Sequence, residues 1–98
     1  MSELQNRIIQ RLNSDGTYLQ GDHVYSRQEQ YLRTALALYF SMGGTVEKLN
    51  QTLPTVKREP YEDIGDRIAD VVVEIAAVSH ARDLDMVQAA FNWIDKRA

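Results

Sequence analysis

The sequence predicts an all-α protein, a compact bundle of four to five helices with two central antiparallel helices. Three observations predict it. Apolar residues recur at helical spacing in several segments, helix-capping signals stand at their starts, and no segment alternates long enough to make a confident strand. The 98 residues are read as a single domain, near the lower end of the usual size range. It has a short docking helix over 3–13, a loop over 14–26 and a helical core over 27–98. The expected centre pairs a helix over 27–42 with one over 61–80.

In the first segment Ser2-Glu3-Leu4-Gln5 matches a capping box. Leu4, Ile8, Ile9 and Leu12 form a narrow stripe, and Asn13-Ser14-Asp15-Gly16 ends it. So narrow a stripe must dock on the rest of the domain or on another subunit. The stretch from Thr17 to Tyr25 has no helical period, and a small hairpin is one option there. Tyr18, His23 and Tyr25 either pack this loop onto the domain or line a ligand pocket.

Ser26-Arg27-Gln28-Glu29 is a second capping-box match and opens a helix through Met42. Its expected buried face is Leu32, Ala35, Leu36, Tyr39 and Phe40, and Gly43-Gly44 closes it, glycine being suited to the left-handed position after a helix. Thr45 caps a short helix carrying Val46, Leu49 and Leu53, which Pro54 is expected to break. Lys57 and Arg58 belong to the following connection.

The segment from Pro60 to Arg82 carries the longest periodic pattern. Ile64, Ile68, Val71, Val72, Ile75 and Val78 share one arc, expected to face the core. Glu62, Asp66, Asp70 and Glu74 follow one another a turn apart on the other side, beside Asp63. Carboxylates so spaced repel by a few tenths of a kcal/mol per pair. Glu62 and Asp63 are explained by the positive end of the helix dipole, whereas Asp70 and Glu74 are not. Val73 and Ala77 lie among the acids. The row is therefore either a solvated face or the place where a second helix, a metal or a partner is met. In the last helix Asp83 or Asp85 is the cap, and Val87, Ala90, Phe91 and Ile94 form the stripe. Trp93 seals its edge, and Asp95 and Lys96 are expected exposed. No internal repeat is found in the sequence.

Composition narrows the function. A net charge of −3 opposes broad binding to nucleic acid or anionic membranes, which need a basic surface. No apolar run approaches the ~18 residues of a membrane span, and the mixed-charge N-terminus is unlike a signal peptide. The chain has no cysteine, which fits a reducing compartment, and a cytoplasmic protein is expected. His23 and His80 lack ligand-spaced neighbours for zinc. Phosphate-binding and nucleophile-elbow motifs are absent. The segment from Leu38 to Ile64 can be fitted to a helix-turn-helix, but Glu59, Glu62 and Asp63 would repel phosphate there.

The segment from Glu62 to Arg97 resembles the C-terminal half of the MazG-type and phosphoribosyl-ATP pyrophosphohydrolases. A helix with an acidic motif is followed by a short link, Asp83-Leu84-Asp85-Met86, and by a helix ending in Lys96-Arg97. The resemblance implies an all-α fold and Mg²⁺-dependent cleavage of nucleotides to monophosphate and pyrophosphate. Counting back from the link sets Arg67-Ile68-Ala69-Asp70 on the E-x-x-D metal motif, with arginine for the first carboxylate. One turn earlier, Asp63-Ile64-Gly65-Asp66 restores both acids. The family's E-x-x-E on an earlier helix is matched only by Glu29, followed by Arg33.

Three readings follow. The first is a non-catalytic helical interaction protein, a regulator or inhibitor, self-associating, that engages a protein partner through Glu62, Asp63, Asp66, Asp70 and Glu74. That partner could be a nucleic-acid enzyme whose basic cleft the acidic row imitates a ligand for. Under the second, a MazG-like pyrophosphohydrolase, the resemblance implies Mg²⁺ on Asp63, Asp66 and Asp70, water positioned by Glu74 and phosphate met by Lys57 or Arg58. The third is a DNA-binding regulator.

Overall fold

The computed structural model describes residues 2–14, 24–60 and 63–96. Among them are five helices and no strand: α1 Glu3–Ser14, α2 Val24–Ser41, α3 Val46–Lys57, α4 Ile64–Ala81 and α5 Met86–Lys96. The predicted all-α class is therefore observed. The chain separates into two compact units, one made of 1–18 with 62–98 and the other of 19–61. The two helices expected at the centre, α2 and α4, belong to different units.

In the first unit α1 packs against α5, and α5 against α4. The Ser2 side chain caps α1, its Oγ accepting the Gln5 N–H at 3.1 Å. The stripe of Leu4, Ile8, Ile9 and Leu12 is half-buried, as its spacing predicts. The Arg7 guanidinium lies 5.0 Å from the centre of the Phe91 ring, within the range of a cation–π contact. Ala90, Phe91 and Trp93 are half-buried, and Ile94 is the one buried side chain among the described residues, at 7% exposure. Trp93 thus sits at the edge of a core centred on Ile94, and Asp95 and Lys96 are exposed as expected.

Helix α4 departs from expectation. It starts at Ile64, after an Asp63 cap, rather than near Tyr61. Of its predicted core arc only Ile75 and Val78 are half-buried, while Ile64, Ile68, Val71 and Val72 are exposed. Periodicity selects which face is apolar, but burial also needs an element to lie on that face. Within the unit, α5 packs against α4 and returns from its C-terminal end.

The second unit contains α2 and α3. Helix α2 begins at Val24, three residues before the Ser26 capping box would start it. Ala35, Leu36 and Tyr39 are half-buried, whereas Leu32 and Phe40, expected inside, are exposed. Two helices joined by a tight turn cannot enclose one another. Pro54 does not break the chain: α3 continues through it to Lys57. Its ring removes one helix hydrogen bond. Hydroxyls on either side bond to the helix carbonyls, Thr52 Oγ1 to Lys48 O at 2.8 Å and Thr55 Oγ1 to Thr52 O at 2.6 Å.

The two helix pairs repeat a common plan. Helix α2 and its successor occupy 24–41 and 46–57, and α4 and its successor occupy 64–81 and 86–96, so three of the boundaries recur 40 residues later. Both links use the same backbone device, a left-handed residue after the first helix and a capping side chain two positions on. In the first, Gly43 has φ 91°, Gly44 N–H bonds to Tyr39 O and Gly43 N–H to Phe40 O, and the Thr45 side chain accepts from Lys48 N. In the second, Asp83 has φ 57°, Leu84 N–H bonds to Ser79 O and Asp83 N–H to His80 O, and Asp85 Oδ1 accepts from Gln88 N at 2.9 Å. Each is a Schellman ending followed directly by an N-cap. The sequence hides the repeat because glycine and aspartate fill the same left-handed role, and threonine and aspartate the same cap.

Candidate functional site

The candidate site is α4. Its start is fixed by Asp63, whose Oδ1 accepts the Gly65 N–H at 2.7 Å. A Cβ on residue 65 would stand 2.8 Å from that oxygen, so glycine keeps the cap unobstructed. Asp63 therefore has a structural role that accounts for its charge at the positive end of the helix.

Asp66, Asp70 and Glu74 are all exposed along the following turns. Arg67 Nη1 donates to Asp70 Oδ2 at 3.3 Å, the arginine half-buried and the aspartate exposed. A contact of that length and exposure contributes little stability, and it relieves part of the repulsion within the row. Glu62 lies outside the described residues. On the other side of the same helix the apolar surface is large: Ile64 is 75% exposed, Ile68 59% and Val72 49%, with Val71 also exposed, while Val73 is exposed among the acids. Isolated apolar side chains in solvent are ordinary, whereas these share one face of one helix.

The metal arrangement implied by the resemblance draws on Asp63, Asp66 and Asp70. Asp63 is engaged as the helix cap and Asp70 with Arg67. Among the described residues no group of three or more His, Asp or Glu side chains converges as a metal would require. Glu29, the acid expected from an earlier helix, pairs with Arg33 on its own helix at 2.9 Å. Lys57 ends α3 and Arg58 is its C-cap. Tyr18 and His23 lie outside the described residues, as does the side chain of Tyr25, so both readings of that stretch, loop packing and ligand pocket, do too.

No family model, curated protein or solved structure matches this chain. No helix among the described residues is long and apolar enough to cross a membrane. The feature that sequence reasoning missed is the apolar half of the site, Ile64, Ile68, Val71 and Val72. Their spacing by itself points to a core face. No signal in the sequence reassigns them, because α2, with an apolar stripe of its own and the same length as α4, was available to cover them.

Proposed function

We propose that the protein is a non-catalytic helical interaction protein, a regulator or inhibitor that engages a protein partner through α4. The observation that supports this most is the exposure of both sides of that helix, the acidic row of Asp66, Asp70 and Glu74 and the apolar set beginning at Ile64. A partner matched to it offers basic side chains to the row, which steer approach and set register. Burial of the apolar side supplies binding energy to whichever chain covers it. A nucleic-acid enzyme with a basic cleft is one partner of this chemistry.

The competing proposal is the Mg²⁺-dependent pyrophosphohydrolase suggested by the resemblance, using Asp63, Asp66 and Asp70. Pyrophosphate release from a panel of nucleoside triphosphates, with Mg²⁺ or Mn²⁺, separates the two. The interaction reading predicts no release above background. Metal-dependent release that is lost in an Asp66→Asn/Asp70→Asn variant, folded by circular dichroism, would overturn it and make the row an active site.

A further inference from the structure

We propose that the apolar side of α4 is covered by the α4 of a second copy of this chain, the two helices running antiparallel. This inference goes beyond the interaction reading, since it stands on the apolar side of the helix and leaves most of the acidic side free.

The spacing sets the geometry. Ile64, Ile68, Val71, Ile75 and Val78 follow one another in alternating steps of four and three, the seam of a two-stranded helical pair. In the structure the first three are exposed, while Ile75 and Val78 are half-buried within their own unit. The free part of the seam is thus centred on Ile68 and Val71. In an antiparallel pair Ile68 of each copy meets Val71 of the other. At the ends Ile64, the most exposed large apolar side chain among the described residues, meets what remains open of Ile75.

This register was chosen by the apolar residues alone, yet it also settles the flanks. On one side of the seam it brings Arg67 of each copy to Glu74 of the other, two symmetric opposite-charge pairs. A parallel arrangement with the same residues in layers would leave Arg67 and Glu74 on the same outer flank, away from their like-numbered counterparts, without this match. On the other side it sets Gly65 against Val72, whose bulk the missing side chain accommodates. Pairing with Glu74 of the other copy competes with the 3.3 Å contact that Arg67 makes to Asp70. Asp63, Asp66 and Asp70 remain on the outward side. An isologous contact of this kind closes as a two-fold dimer and does not propagate.

Sedimentation equilibrium of the full chain tests the contact. The wild type is expected to be a dimer at micromolar concentration. Arg67→Glu alone and Glu74→Arg alone should each raise the dimer dissociation constant about tenfold, through two like-charge contacts per dimer. The double variant, Arg67→Glu with Glu74→Arg, should return to within a few-fold of wild type. A monomer at every concentration, or a dimer indifferent to these changes, would overturn the proposal. Direction is read by oxidation, since the chain carries no cysteine of its own. A mixture of Ile68→Cys and Val71→Cys chains should give mainly the mixed disulfide. A predominance of the Ile68→Cys self-disulfide would overturn the antiparallel arrangement.

Discussion

Replacing Gly44 by alanine tests how the first helix pair is joined. A Cβ at this position would lie 2.3 Å from Tyr39 Cζ and 2.5 Å from both Cε atoms. These are distances that real Cβ atoms do not adopt, so the ring or the turn must move. The ring is held by its hydroxyl, which donates to Thr45 O at 2.8 Å and accepts from Thr45 N at 3.1 Å. It also stacks edge-on against Phe40, with centroids 5.2 Å apart. Displacement forfeits both hydrogen bonds, each worth about 0.5–1.5 kcal/mol net and toward the lower end at this exposure. Part of the aromatic pair, worth about 0.5–1.5 kcal/mol, is lost as well. Gly44→Ala should therefore destabilise the chain by about 2 kcal/mol, measured by urea unfolding followed through helical ellipticity. The background makes the test specific. In a Tyr39→Ala chain the clash is gone, and Gly44→Ala should cost less than ~0.5 kcal/mol, the two changes being strongly non-additive. Equal costs in both backgrounds would refute the claim that Gly44 is required by the Tyr39 ring.

Two further substitutions follow from the first unit. Ile94→Ala removes the one buried side chain among the described residues and should cost about 2–4 kcal/mol, lowering the thermal midpoint accordingly. A loss under ~1 kcal/mol would mean that the packing around α5 is not the stabilising core of that unit. Asp83→Gly should act in the opposite direction, because the native residue occupies the left-handed region at φ 57°. A gain of about 0.5–1 kcal/mol is expected in chemical denaturation, and a loss would show that the aspartate side chain has a stabilising contact at the link.

What the sequence disclosed depended on whether the cause was local. The Ser2 and Thr45 caps and the Gly43-Gly44 ending are decided by residues within a few positions, and each was legible. At the second link the capping role could be narrowed to Asp83 or Asp85. The structure gives Asp85 the cap and Asp83 the left-handed position. Pro54 misled because proline forbids one hydrogen bond and disfavours a helix without excluding it, and neighbouring threonines bond to the carbonyls around it. The deeper miss lies in α4. Its apolar arc was correctly identified, but spacing alone cannot distinguish a face that meets its own chain from one open to a partner. Asp63 shows the same limit on the acidic side. Its charge entered both the interaction row and the metal motif, and its position in space is that of a helix cap.

The central claim is that the exposed acidic side of α4 recognises a protein. Its most direct test is calorimetric titration of the full chain, wild type against an Asp66→Lys/Asp70→Lys variant, with each protein that co-purifies with it. Glu74 is left native in this variant because it also belongs to the proposed self-contact. Matching thermal unfolding and sedimentation would establish that the variant keeps its fold and its own association. The account predicts that at least one partner loses affinity about tenfold or more, with the loss diminishing at high salt. Unchanged affinity for every co-purifying protein would contradict it.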